Sequence, residues 1–386
     1  YYNIHRILLS LVGLWPYQQS NMRKVQWIIS SIVLASSIII QFMKFLTTEY
    51  SLDLLLKVLS FAVPCMVFVL KYVSFYIGSE TVRYLMESII SDWNSLKIDI
   101  EIEIIKKHSD FGRLYALFFT LAVYSGLFFY MLIQFLPNFL DIIASRNESR
   151  LHNIPLTAEY FADQQKYYLP ILLHVDIIAL VGFTIVISTE SLITAYIRHA
   201  IGMFEVARYR IERALNASTS ISPMLRENMI HIKIIDAIEI HQRTIEFFEY
   251  LSSTFSLSYF ILMILGVISL SLNLFRLFQV AILPDQKKNL ASFVIFVSGH
   301  FCYMFICNYL GQKIIDNSTE IYNEIYNTQW YAAPIKTQKL LLFIMQRSIK
   351  SCKLVLGGIY YVSVENFTTL ASMSLSYFTV LYSMQK

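Results

Sequence analysis

Seven separate stretches of this chain are apolar for long enough to cross a bilayer as single helices, and few folds accommodate that. They cover residues 25–45, 51–76, 114–136, 168–193, 247–274, 290–310 and 363–386. A hydrocarbon core about 30 Å thick is spanned by roughly 20 apolar residues in a helix. Inside lipid every backbone N–H and C=O must be satisfied within the protein, so spanning segments of this kind are helical. Composition agrees: 56% of residues are hydrophobic, only 15% are charged, and the mean hydropathy is +0.53, whereas a soluble domain carries about a quarter charged residues. The chain is read as an all-α integral membrane protein, one membrane domain over residues 1–386 with no internal repeat. No cleavable signal peptide is expected, because the first strongly apolar run is itself long enough to span.

The segments between the runs have their own character. Residues 1–24 form a short amphipathic piece ending in Trp15-Pro16, placed at the membrane interface. In the second run Asp53 and Lys57 stand four apart, the spacing of a helical ion pair. Lys71 lies near that run's other end, where it is expected to snorkel toward water. Pro64 between them should bend the helix and free a carbonyl that a neighbour must satisfy. Residues 97–103 alternate charged and isoleucine positions, a period that suits a strand, although a solvated helical linker fits better among helices. A loop is expected over 137–166, and the fourth run continues as helix through Ala214-Leu215. Residues 275–289 are read as a loop. The sixth run, which ends at 310, continues as helix, and a basic loop and helix over 333–358 lead into the last run.

Charge asymmetry orients these helices. With the N-terminus in the cytoplasm, 21 of the 31 Lys and Arg residues fall in inner segments and seven in outer ones, as the positive-inside rule requires. The C-terminus is then extracellular, the reverse of a G-protein-coupled receptor. Among the acceptor sequons, the one at Asn147 lies in an outer loop and is expected to carry a glycan. Those at Asn216, Asn317 and Asn366 should stay bare. The net charge of +4 is spread out, without the basic block that a nucleic-acid partner needs. The four cysteines show neither a disulfide framework nor metal-ligand spacing, and Cys302 and Cys307 read as core thiols. No cofactor is called for, and no H-E-x-x-H, phosphate loop or G-x-S-x-G points to an enzyme. A transporter would be expected to show repeat halves, which are not evident.

The last run differs from the rest. Its 24 residues reach roughly 36 Å as a helix, and Thr369, Ser372, Ser376, Thr379 and Ser383 recur at steps of three and four, one stripe along one face. Met373, Val380 and Met384 flank that stripe. Two readings fit: a pore lined by hydroxyls and closed by apolar side chains, or ordinary packing, since Ser and Thr are common where membrane helices touch.

With this topology in place, several landmarks become specific. They are Leu9 with Gly13-Leu14-Trp15-Pro16; Cys307 through Gly311-Gln312; Ile325-Tyr326, Trp330 and Pro334; Met345, Arg347 and Ser348; and Ser376-Tyr377-Phe378-Thr379-Val380-Leu381. On these the chain resembles an insect odorant receptor of the ligand-tuning kind, along its whole length and most specifically in its last quarter. The shared co-receptor of that family carries a long insertion between the fourth and fifth spans, which this sequence lacks. The resemblance implies a tetrameric, ligand-gated, non-selective cation channel in the plasma membrane of a sensory neuron dendrite, assembled with co-receptor subunits. It implies that the seventh helix lines the pore, with Thr369, Ser372, Met373, Ser376, Val380, Ser383 and Met384 at the pore and gate. Residues 25–310 would then form a six-helix bundle holding a small volatile ligand, 311–358 a cytoplasmic anchor, and 363–386 the pore helix. Expected ligand-binding residues are Phe68, Tyr72, Tyr124, Phe128, His174, Ile178, Phe296, His300 and Tyr303, in a small apolar cavity among the outer halves of the helices. His174 and Asp176 are polar within an apolar run, which marks either a functional site or a pair holding helices together. Glu190 reads as structural. A gustatory receptor, which shares the topology and terminal pore helix, is the nearest alternative, and the Trp15-Pro16 and Ser376-Tyr377-Phe378 neighbourhoods argue against it.

Overall fold

The computed structural model describes residues 2–143, 156–216, 223–282 and 290–384, and the Asn147 sequon lies outside them. Among these residues ten α-helices follow in order: α1 (Asn3–Leu11), α2 (Ser20–Thr47), α3 (Leu52–Ile77), α4 (Ser79–Ser95), α5 (Asp99–Ile143), α6 (Tyr168–Leu215), α7 (Pro223–Ile282), α8 (Leu290–Asn327), α9 (Ile335–Ile349) and α10 (Val364–Met384). A two-stranded antiparallel hairpin, β1 (Val355–Leu356) and β2 (Tyr360–Tyr361), separates the last two. Among the described residues six helices, α2, α3 and α5 to α8, are long and apolar enough to cross a membrane. In α10 the hydroxyl side chains lower the hydropathy, and it is not among those six.

Two expectations about boundaries are corrected. The helix over the third run continues through Pro137 to Ile143, because a proline inside a long membrane helix removes one hydrogen bond without ending the helix. The fifth continues to Ile282 rather than stopping at 274. The alternation near residue 100 is helical, as expected, but not simply solvated: Glu101, Ile105 and His108 are all buried at steps of four and three, so one face of α5 carries polar groups inward. The basic loop before α10 holds the hairpin, which the Gly-Gly pair between Leu356 and Ile359 signals.

The long helices reach well past a bilayer. At about 1.5 Å per residue the 60 residues of α7 extend roughly 90 Å, three times the hydrocarbon thickness. Their extensions pack with α1, α4 and α9 into one continuous core that includes Leu9, Leu85, Ile105, Phe204, Ile234, Ile321 and Leu341. Ion pairs brace this end. Arg210 grips Glu101 through two bonds of 2.7 and 2.8 Å, Asp92 meets His199 at 3.0 Å and Arg243 at 3.8 Å, and Arg347 meets Glu249 at 3.1 Å. Glu205 accepts from His108 at 2.7 Å, and that bond holds its carboxyl below the usual range. The N-terminal segment belongs to the same core. His5 meets Ser191 at 3.0 Å, and the Tyr72 hydroxyl donates to the Val12 carbonyl at 2.9 Å.

Away from this end the helices meet less. Half of the most apolar stretch of α6 is buried, 50% against 11% in α5, so α6 is the central post and α5 an outer one. Pro64 leaves the Ser60 carbonyl without its helical donor, and Asn273 of α7 donates to it at 3.3 Å. Lys57 pairs with Asp53 at 2.5 Å.

Candidate functional site

The last helix is set in place at its first turn. Gly357 and Gly358 have φ of +58° and +75°, a conformation that side-chain-bearing residues rarely adopt, and they turn the chain back over α7. Ser256 of α7 secures the turn, donating to the Val355 carbonyl at 2.7 Å and accepting from the Gly357 N–H at 3.0 Å. The Asn308 side chain of α8 accepts from the Tyr360 hydroxyl at 3.0 Å and the Ser363 N–H at 3.3 Å. Ser363 in turn caps α10 by accepting from the Asn366 N–H at 3.2 Å.

Beyond that turn α10 has two unlike faces. Leu370 and Ser374 are buried, and Phe378 and Leu381 pack against Leu56, Val63, Leu272 and Phe275 of α3 and α7. The Phe278 ring meets Phe378 and Tyr382 edge to face. On the opposite side Thr369, Ser372, Ser376, Thr379 and Ser383 are all exposed. Met373, Val380 and Met384, exposed at 42%, 52% and 63%, lie along that side's edge. Ser376, Thr379 and Ser383 donate their hydroxyl hydrogens to the carbonyls of Ser372, Ser376 and Val380 at 2.9, 2.7 and 2.8 Å. With the donor engaged inward, the oxygens have only lone pairs left to offer outward.

The structure distributes the expected ligand residues unevenly. Phe68 of α3 lies over Gly182, where a Cβ would overlap its ring, and stands 5.5 Å from the Phe183 ring. From the α5 side, Tyr124 donates to Thr184 at 2.8 Å, since the Thr184 hydroxyl is itself spent on the Leu180 carbonyl. Phe68 and Tyr124 therefore meet one turn of α6, just past the buried Ile178. Phe296 is half-buried beside His300 on α8, ring centroids 6.2 Å apart. Tyr72 is held by Val12, as above, and Phe128 is 62% exposed on the outer side of α5. His174 has both ring nitrogens engaged, by Ser36 and by Tyr160, each at 3.0 Å. Asp176 does not pair with it; its buried carboxylate makes no hydrogen bond among the described residues.

Lys71 does not snorkel. Its side chain is 1% exposed and ion-paired with Glu190 of α6. Tyr259 of α7 and Tyr303 of α8 donate to the same carboxylate oxygen at 3.1 and 2.9 Å, and the Lys71 ammonium stands 4.8 Å from the Tyr259 ring centroid. Four helices thus converge on one carboxylate, a node that sequence reasoning missed because its members lie far apart in the chain. Beside the node, bounded by α6, α7, α8, the hairpin and Leu370 of α10, is a cavity of about 130 Å³. Of the nine expected ligand residues, His300 and Tyr303 line it, and it includes nothing from α2, α3 or α5. Cys307 also borders it, whereas Cys302 is exposed rather than in the core.

Comparison with known proteins gives a consistent result. The family described as 7tm Odorant receptor matches residues 51–375. Odorant receptor 9a of Drosophila melanogaster is 22% identical over 250 residues, 63% of this chain and 59% of its own length. Odorant receptor 85f of the same fly is 29% identical over 93 residues, 24% of each chain. The olfactory receptor OR5 of Machilis hrabei, solved in complex with eugenol, superposes with a TM-score of 0.78 at 15% identity, covering 98% of this chain and 97% of that one. A second structure of the same receptor gives a TM-score of 0.76 at 14% identity. This chain has their fold.

Proposed function

The chain belongs to the 7tm odorant receptor family, a family of membrane receptors and not of enzymes, and from that premise we propose that it is a tuning subunit of an odorant-gated, non-selective cation channel. The observation that carries the reading is the two-faced α10. One face is packed into the bundle, and the other presents a row of hydroxyl oxygens to whatever lies outside this chain. Four such faces around an axis would make a passage lined by acceptors, which suits partly dehydrated cations. Val380 and Met384 would supply an apolar constriction that closes by dewetting. The N-terminus and the braced helix extensions are placed in the cytoplasm, by the charge asymmetry, and the protein in the plasma membrane as a heterotetramer with the co-receptor.

The odorant is placed between α3, α5, α6 and α8, where Phe68 and Tyr124 approach the 178–184 turn of α6. Binding there opens the channel only to the extent that the ligand prefers the open arrangement, since equal affinity for both states shifts nothing. The test is whole-cell current under a panel of volatile compounds, with this chain expressed alone and with the co-receptor. Odorant-evoked cation current on co-expression supports the reading. Silence in both, with the protein at the surface and the panel broad, counts against it.

A further inference from the structure

The cavity between α6, α7, α8 and the hairpin is a second site, and we infer that it takes a neutral, apolar molecule about the size of a benzene ring. The size follows from its volume of about 130 Å³; cavities of about 150 Å³ lined by Leu, Ile and Phe stay dry and take up benzene. The neutrality follows from its walls. Ile193, Leu262, Met304, Leu356 and Leu370 supply the surface. The strong polar groups at its edge are already engaged within the protein. Glu190 is paired with Lys71 and accepts from Tyr259 and Tyr303. Asn308 donates to the Met304 carbonyl at 2.9 Å while accepting from Tyr360 and Ser363. Ser256 is spent on the hairpin. A charged or strongly hydrogen-bonding occupant would have to break one of these bonds, at the cost of leaving a buried group unpaired.

The site is distinct from the proposed odorant position, because none of its lining residues comes from α3 or α5; Glu190, Tyr259 and Tyr303 form part of its wall, and Lys71 does not. Its far wall is Leu370, on the packed face of α10. An occupant therefore bears directly on the helix whose other face is the proposed pore, and any effect on current rests on that channel reading. The same chemistry has two sources: a free small volatile hydrocarbon, or the end of an acyl chain of a bilayer lipid.

The test is photolabelling of the receptor, assembled in lipid nanodiscs, followed by peptide mapping. One arm uses a phenyl diazirine, the other a phosphatidylcholine with a diazirine at its acyl terminus. Label on the 262–266 and 304–307 segments is expected from at least one arm, and which arm gives it names the source. In Gly266→Leu that labelling should fall several-fold while label on the exposed face of α5 is unchanged. Gly266 borders the cavity, and a Cβ there would meet only the His300 Nε2, at 3.8 Å, so the longer side chain fills the space. Should that variant fail to assemble, Leu262→Ala enlarges the same cavity and should admit label from a bulkier aryl diazirine that the unaltered receptor excludes. Label absent from these segments in both arms, undiminished in Gly266→Leu, or unchanged in Leu262→Ala overturns the proposal. Odorant-evoked current, recorded separately, keeps the two readings apart: current without label sinks this site alone, and label without current sinks the channel reading alone.

Discussion

The two ends of this molecule solve the burial problem in opposite ways. At the end built from α1, α4, α9 and the helix extensions, apolar side chains turn inward to one core, and charged groups reach across it in pairs. At the other end the apolar groups turn outward: Phe118, Leu121, Phe129 and Ile133 of α5 are each more than half exposed or strongly so, at 66%, 62%, 60% and 69%. Lipid is a solvent for such surfaces, so nothing drives them together as water does at the first end. The helices there are left to meet through a few hydrogen bonds, small-residue approaches and satellite clusters. A region held that way can change its packing at low cost, and that is where the ligand and pore readings fall. The braced end is suited to holding a fixed arrangement.

This contrast can be broken or sharpened by experiment. The largest effect is expected at the braced end. Glu101→Ala leaves Arg210 without its partner, and breaking a buried pair costs about 3–5 kcal/mol. It should appear as a large drop in the melting temperature of the solubilised receptor and loss from the cell surface; an unchanged melt would remove the rigid-end argument. A smaller effect should follow acid. Hydrogen bonds from Thr47 and Lys44 hold the Glu159 carboxyl down to about 2, from an ordinary 4.5. Because the folded value is the lower one, its contribution is complete above about 4.5 and is lost as pH falls toward about 2. The melting difference between the unaltered protein and Glu159→Gln should therefore shrink across that interval, and a constant difference would contradict the assignment.

Within the membrane end, Tyr124→Phe removes one hydrogen bond to Thr184, worth about 1 kcal/mol. It should alter the rank order of odorants while leaving ion permeation unchanged; the converse result would move the ligand elsewhere. The smallest stability change is expected on the free face of α10. Ser376→Ala should shift stability by no more than about 0.5 kcal/mol, and Met384→Glu should reach the surface normally, yet both should change conductance or leak. Unaltered currents in both would return α10 to the role of a packing helix.

What the sequence made legible follows the same division. Apolar runs and their continuations are local properties, so the extent of α6 to Leu215 and the unmet carbonyl ahead of Pro64 could be read from neighbouring residues. The hydroxyl stripe was equally plain, since it depends only on spacing along one helix. Partnerships across the bundle were not readable. Lys71 near a helix end reads as a snorkelling residue until Glu190, 119 positions later, is placed beside it. Glu101 and His108 look like surface charges because their partners, Arg210 and Glu205, lie on another helix. The candidate site suffers from this most. Aromatic residues alternate too densely for periodicity to separate Phe128, turned outward, from Phe68, turned onto Gly182.

The way α10 is mounted has a mechanical consequence. Its first turn is fixed by the hairpin, by Asn308 and by the Ser363 cap, whereas its last two turns are exposed along one whole side. Toward its tip it is held along one flank only, where Phe378, Leu381 and Tyr382 lie on α3 and α7. A shift of α3 or α7 at that flank is therefore carried to the same turns that bear Val380 and Met384 on the open side. On the pore reading of α10, a sliding of two packed helices then becomes a change of aperture without disturbing the braced end or unwinding any helix.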